Sequence, residues 1–218
     1  MPDSTNNSQP QPAPGAEDSQ NAQPTHVLSH AEQKEESLKT LERINFWISN
    51  CDTKISFSLA FAGILLGGFF SSSIITGSLT KLIDKLIKIN DIENHWEMRH
   101  IEFTTLVLII FVILMIVSIT YLFRGIKGSI DPTVYQQSQL TTNSNLFFGS
   151  IQSKSFGDFK DAIEAQTPVE IQNDYLSQIY INSKICQQKF NLYNQGVTYL
   201  IFSTVTFIIL NTLFLFIR

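Results

Sequence analysis

The sequence has 218 residues, of which 44% are hydrophobic and 16% are charged, and its formal net charge is −4. No nucleic-acid partner is expected. Three long uncharged apolar segments leave little polar sequence to cover them. They exclude an ordinary soluble domain and predict an all-α integral membrane protein with three transmembrane helices.

Residues 1–28 are predicted to form a disordered tail. They are rich in Asn, Gln, Pro and Ser and contain no Lys or Arg. Such a segment buries too little apolar surface to fold, and it lacks the basic start and apolar core of a signal peptide. His26 and His30 are four residues apart, but no Cys or carboxylate completes a set, so neither a metal nor a cofactor is expected.

Residues 29–54 are predicted to form a helix that leads into the first membrane span. Ser29 and Glu32 have the spacing of a capping box, in which each side chain hydrogen-bonds the backbone of the other residue. Asp52 and Lys54 lie where this helix enters the membrane. We expect their charged groups to extend towards water.

The first span is predicted at residues 55–76, which contain no charge and are long enough to cross a hydrocarbon core of about 30 Å. Within it, Gly63, Gly67 and Ser71 recur every four residues on one helix face, where a second backbone can approach closely. This face suits a contact between copies in a homo-oligomer and packing within the chain equally well.

Residues 77–102 are predicted to form a loop with an amphipathic helix at 79–89. Apolar residues form one face of this helix, and Lys81, Asp84, Lys85 and Lys88 form the other. A basic amphipathic helix beside a membrane is typical of one that lies in the interface plane. Alternatively, it extends the first span and packs on a neighbouring helix.

The second span is predicted at residues 103–123, and an irregular segment follows at 124–166. This segment contains Gly, Pro and a polar run, and then Phe147, Phe148, Gly149 and Ser150. A long irregular segment is more often functional or disordered than neutral, and the aromatic pair favours order.

Residues 167–196 are predicted to form a second long helix that continues into the third span at 197–217. Thr167, Pro168 and Glu170 give a strong start signal: a cap, a proline in the first turn and a capping-box carboxylate. Apolar stripes on both long helices predict that the first and third helices extend beyond the membrane as a bundle. Asn211, inside the third span, is expected to need a partner helix or water.

Ten of the 15 Lys and Arg residues lie in residues 1–54 and 124–196, which three crossings place on one side of the membrane. The positive-inside rule therefore predicts a cytosolic N-terminus and an extracytoplasmic loop at 77–102. Cys51 and Cys186 precede the first and third spans. They could form a disulfide, but the cytosolic orientation favours reduced thiols.

The sequence contains no recognisable catalytic motif. It has no glycine-rich phosphate loop, no Gly-x-Ser-x-Gly turn and no Cys-x-x-Cys pair. We therefore predict that the protein is not an enzyme.

Three segments resemble the transmembrane effectors of Pycsar antiphage systems. They are Asn-Cys-Asp-Thr-Lys-Ile at 50–55, Phe-Phe-Gly-Ser-Ile at 147–151, and the run from Asp174 to Phe190 that leads into the last span. Together with the order of the spans, the resemblance covers about residues 34–217. Ile55 stands where a small residue is expected.

The resemblance implies that a companion pyrimidine cyclase senses phage and makes cyclic CMP or cyclic UMP. The effector then binds this messenger in the cytosol and impairs the bacterial inner membrane, so that the cell stops growing or dies.

The messenger is a monoanion with an aromatic base, so its site needs a positive or amide donor and a stacking surface. Candidate residues by type are Lys184 and Lys189 for charge, Gly149 and Ser150 for donors, and Phe147 or Phe148 for stacking. These same residues would equally suit ordinary packing.

Two other functions compete with this one. A SLATT-type effector would couple a different nucleotide signal to two spans, but three spans are predicted here. A small channel or transporter subunit without a messenger would usually carry charged groups near the bilayer midplane, and the predicted spans contain none.

Overall fold

The computed structural model describes residues 28–89, 94–128 and 132–217, and every regular element in these ranges is helical. The helices are α1 (His30–Ser71), α2 (Ser73–Ile87), α3 (His95–Lys127), α4 (Phe148–Gln152), α5 (Phe156–Glu164) and α6 (Pro168–Phe214). A 3₁₀ turn covers Pro132–Gln136. The predicted tail at 1–28 lies outside the described residues except for its last position, and so does His26.

Helices α1, α3 and α6 contain most of the first and third predicted spans and all of the second. Each is long and apolar enough to cross a membrane. Both predicted capping boxes are present, with Ser29 and Glu32 at the start of α1 and Thr167 and Glu170 at the start of α6. The two longest helices therefore begin where the sequence predicts.

The first span differs from the prediction because α1 ends at Ser71. Ser72 has an extended backbone, with ψ of 115°, and its hydroxyl accepts a hydrogen bond from the Ile75 N–H at 3.3 Å. Serine side chains compete in this way with helical backbone bonds, and three serines follow two glycines here. The last residues of the predicted span consequently belong to α2.

Helix α2, which contains most of the predicted amphipathic helix, packs onto the ends of the other long helices. Ile75 and Leu82 are buried in the same apolar cluster as Ile101, Leu210 and Phe214. Of the alternative arrangement, the packing on a neighbour is therefore observed, whereas the break at Ser72 means that α2 does not simply extend the first span. A position in the membrane interface plane stays a prediction.

Helix α6 is the centre of the bundle, because it packs along both α1 and α3. Phe111 of α3 contacts Phe69 of α1 and Phe207 of α6, with ring centroids 5.5 and 5.6 Å apart. Beyond the apolar segments, α1 and α6 stay joined by hydrogen bonds between Gln172 and Ser37 and between Asn182 and Asn45.

Two expectations about polar and thiol side chains can be compared with the structure. Asn211 does not need a partner helix, because its amide donates to the Phe207 carbonyl one turn earlier in α6, at 2.7 Å. That prediction was wrong. Cys51 and Cys186 are free thiols, and Cys51 is fully buried against Ile55 and Leu122.

Candidate functional site

An ion pair joins the three long helices at one end of their apolar segments: before those of α1 and α6 and after that of α3. The Lys189 ammonium on α6 donates to the Asp52 carboxylate on α1 at 2.5 Å and to the Ile126 carbonyl at the end of α3 at 3.1 Å. The Lys189 side chain is only 7% exposed, whereas that of Asp52 is 42% exposed. A cation at a helix C-terminus is also stabilised by the helix dipole.

The local backbone of α3 is shaped to fit Lys189. Gly128 ends α3 with φ of +50°, a conformation that side chains disfavour. A Cβ atom there would lie 2.9 Å from Lys189 Cε, so glycine lets the chain cross directly over the lysine stem. Three turns of α3 earlier, the Ser118 hydroxyl donates to the buried Gly196 carbonyl of α6 at 2.8 Å.

Sequence reasoning treated Asp52 and Lys54 as solvated entry charges and Lys189 as a ligand for the messenger. The structure instead pairs Asp52 with Lys189, while Lys54 lies 5.8 Å from the Phe190 ring centroid. No local spacing could reveal the pair, because its members are 137 positions apart. The available signal was that Asp52 and Lys189 carry opposite charges and each lies just before a predicted span.

The chain after α3 runs back along α6, away from the apolar segments. Gln137 donates to the Tyr180 hydroxyl at 3.0 Å, the Thr141 N–H donates to Ser177, and the Asn145 N–H donates to the buried Asp174 carboxylate at 2.8 Å. We call these three antiparallel contacts the α6 ladder. These hydrogen bonds hold residues 137–145 of the irregular segment against α6.

The four predicted residues at 147–150 lie together at the start of α4. The rings of Phe147 and Phe148 are 4.8 Å apart, and a Cβ atom at Gly149 would lie 2.6 Å from the Phe147 ring. The Ser150 N–H donates to the Phe147 carbonyl. This cluster follows the Asn145 end of the ladder.

Lys184 is separate from that aromatic cluster. It lies ten residues along α6 from Asp174, about 15 Å at 1.5 Å per residue. Its ammonium instead lies 5.3 Å from the centroid of the Tyr180 ring, one turn earlier on the same helix. Sequence reasoning missed Tyr180 as the nearest aromatic surface, although its spacing of four residues from Lys184 could have indicated it.

Lys184 belongs to a group of exposed cations near the Lys189 ion pair. Within the described residues, its members form no ion pair with a carboxylate; they are Lys54, Arg124, Lys127 and Lys184. An anion approaching this level of the bundle would therefore meet uncompensated positive charge.

A polar pocket of about 320 Å³ lies at the Asn145 end of the ladder, away from Lys184. Amide side chains dominate its wall: Asn143, Asn145, Gln166 and Asn173. Hydrogen bonds from the Thr167 backbone and hydroxyl lower the pKa of the neighbouring Glu170 carboxyl, which keeps it ionised at neutral pH. Glu170 and the nearby Asp174 make this pocket a poor site for an anion.

The helix face with Gly63, Gly67 and Ser71 is exposed in the single chain. A Cβ atom at Gly63 or Gly67 would meet nothing within 4 Å. The face therefore packs against no other described part of the chain. Within the described residues, no three His, Cys, Asp or Glu side chains form a group that could hold a metal ion.

A sequence model of the PycTM family, described as the Pycsar effector protein domain, matches residues 36–217. The chain belongs to this family. It is also 62% identical over 189 residues to the Pycsar effector protein GmPycTM of Gulbenkiania mobilis, covering 87% of this chain and 96% of the relative. No solved structure matches the chain significantly. The resemblance identified from the sequence is thereby confirmed.

Proposed function

We propose that this chain is the antiphage effector of a Pycsar system, which binds cyclic CMP or cyclic UMP on the cytosolic side and impairs the inner membrane. Its family and its three apolar helices support a membrane effector. The messenger would come from a companion pyrimidine cyclase, and the assembly would be a homo-oligomer in the bilayer. No catalytic step by this chain is required.

The observation that carries this proposal is the continuity of α6. One uninterrupted helix of 47 residues bears the ladder contacts, Lys184, Lys189 and the third apolar segment. Since a helix transmits displacement along its axis, a ligand bound before the apolar segment acts on the bilayer without an intervening linker. Lys189 connects the same movement to α1 and α3.

For the messenger phosphate we propose Lys184, and for stacking of the base we propose Tyr180 with the Phe147–Phe148 cluster as the alternative surface. Lys184 is exposed, and its interaction with the Tyr180 ring is weak enough to be exchanged for a phosphate. Lys189 already has two acceptors, so its role in this proposal is to couple the helices.

The experiment uses the purified protein in proteoliposomes that hold a membrane potential, with a voltage-sensitive dye as the readout. Cyclic CMP or cyclic UMP should depolarise vesicles that contain the unaltered chain. A charge-assisted contact contributes about 1.5–3 kcal/mol, so Lys184→Ala should weaken the response and direct binding about 10- to 150-fold.

Lys160→Ala is the matched control, because Lys160 is an exposed lysine on α5 that pairs with Glu164 on the same helix. It should leave the response unchanged. A normal response of Lys184→Ala would remove Lys184 from the site. If neither pyrimidine nucleotide depolarised vesicles with the unaltered chain, the effector function itself would be wrong.

A further inference from the structure

A pocket lies at the opposite end of the bundle from Lys189. It has a volume of about 770 Å³ and is formed by the end of α2, the first turns of α3 and the end of α6. Its floor is apolar and consists of Ile101, Phe103, Leu213, Phe216 and Ile217. Phe103 and Phe216 are more than half exposed, so this floor opens outwards beside the apolar segments.

The rim of the pocket is polar, and its described residues include two basic side chains, Lys85 and Arg99, and one acidic side chain, Glu97. Lys85 on α2 pairs with Glu97 on α3 at 2.7 Å, which neutralises both groups and fixes the wall between the two helices. Arg99 lines the same rim, is exposed, and forms no ion pair within the described residues. His100, beside it, contacts the Phe216 ring edge-on at 6.2 Å.

We propose that this pocket binds a phospholipid with an anionic head group. The Arg99 guanidinium holds the phosphate, and one acyl chain lies over Phe103 and Phe216. A guanidinium can donate hydrogen bonds to two phosphate oxygens at once, so Arg99 fixes the head group while the apolar side chains contact the acyl chain. Trp96, which is 74% exposed on the rim, is of the residue type that concentrates at the membrane–water interface.

The charge and the apolar floor together select the occupant. A free phosphate would satisfy Arg99 but would bring no acyl chain to cover the apolar floor beneath it, whose burial is favourable in proportion to the apolar area covered. A zwitterionic lipid would cover the floor but bring its own cation next to Arg99. An anionic phospholipid satisfies both parts of the pocket, and this assignment does not rest on the messenger function.

The test places the full chain in nanodiscs of phosphatidylcholine with a small fraction of brominated phosphatidylglycerol, and measures quenching of Trp96 fluorescence. The other tryptophan is removed by Trp47→Phe, since Trp47 lies on α1 at the far side of the chain's apolar segments. Quenching should exceed that from brominated phosphatidylcholine at the same fraction. Arg99→Gln should raise the phosphatidylglycerol fraction needed for half quenching about tenfold.

Arg124→Gln is the matched control, because Arg124 is an exposed arginine at the other end of α3 that, like Arg99, forms no ion pair with another described residue. It should leave quenching unchanged. Arg99→Lys, which keeps the charge but loses the bidentate geometry, should fall between the two and shows that the fold tolerates change at this position. Equal quenching by the two brominated lipids, or no effect of Arg99→Gln, would overturn the proposal. Full reversal by millimolar inorganic phosphate would also overturn it and assign the site to a soluble anion.

Discussion

Lys189 and Asp174 are the two charged side chains buried within the described part of the chain, and their surroundings differ. The Lys189 ammonium has an anionic partner and a carbonyl, whereas one oxygen of Asp174 accepts from Asn145 and the other has no hydrogen-bond partner. Burying a charge is costly unless hydrogen bonds and opposite charges replace the lost hydration. Lys189 is therefore the better-compensated of the two.

The unequal exposure of Asp52 and Lys189 leads to an asymmetric prediction for the ion pair. Asp52→Asn leaves a buried ammonium with neutral acceptors only, while Lys189→Met leaves a carboxylate that water can reach. We expect Asp52→Asn to destabilise the protein by about 2–3 kcal/mol and Lys189→Met by about 1–2 kcal/mol, below the full value for a buried pair because Asp52 is partly solvated. Thermal unfolding in detergent measures both.

Lys39→Met is the control for this comparison. Lys39 pairs with Glu35 and Glu36 on the surface of α1, where both partners are more than half exposed. Its loss should change stability far less than the loss of either member of the Asp52–Lys189 pair, because solvent screens an exposed ion pair. A larger cost for Lys189→Met than for Asp52→Asn would contradict this order and mean that the groups left behind, the Asp52 carboxylate and the Ile126 carbonyl, are less accessible to water than described.

At the scale of the helices, the close crossing of α3 and α6 depends on one glycine, Gly196. A Cβ atom at Gly196 would lie 2.7 Å from Leu122 Cγ and 3.3 Å from the Leu122 backbone nitrogen. Leu122 is itself fully buried, so it has little freedom to move away. Glycine in mid-helix is unfavourable by itself, and here the close contact offsets that cost.

We therefore expect Gly196→Ala to destabilise the protein by about 1–3 kcal/mol despite the better helix propensity of alanine. Gly67→Ala is the matched control, because the added methyl group meets nothing within 4 Å. That variant should be neutral or slightly more stable, by up to about 1 kcal/mol. Both are compared by thermal unfolding in the same detergent. If Gly196→Ala also proved stabilising, α3 and α6 would cross less closely than described.

The helices could largely be predicted, whereas their mutual contacts could not. Uncharged length predicts the three apolar helices, and capping chemistry predicts the starts at Ser29 and Thr167, since both signals are local. The end of α1 at Ser71 was missed because the apolar pattern continues through Ser72. The Asp52–Lys189 pair and the position of Tyr180 beside Gln137 depend on how distant segments align, which no local pattern contains.

For the whole molecule, the orientation in the membrane stays a prediction from the distribution of Lys and Arg. A reporter that is active only in the periplasm should be silent when fused after Gln166 and active when fused after Arg218. The cations around Lys189 would then face the cytosol. The reverse pattern of reporter activity would place the messenger site outside the cell and contradict the proposed function.

Self-association is a second prediction for the whole molecule. Because the face with Gly63, Gly67 and Ser71 is open in the single chain, Gly67→Leu should not disturb packing within it. A bulky side chain there should nevertheless block close approach of a second copy. Crosslinking in membranes should therefore show fewer oligomers for Gly67→Leu than for Gly67→Ala, and an equal yield would exclude this face as the contact.

Lys189 lies near the middle of α6, with 21 residues before it and 25 after it. The ion pair is therefore placed where a pivot for rotation of the whole helix would be. The two arms are about 32 and 37 Å long, and a tilt of about 5° around Lys189 would displace both ends by about 3 Å in opposite directions. A swing of the Pro168 end towards one side thus carries the Phe214 end towards the other. The lateral pressure of the bilayer would then resist the tilt of α6. A stiffer or thicker membrane should therefore raise the messenger concentration needed for depolarisation.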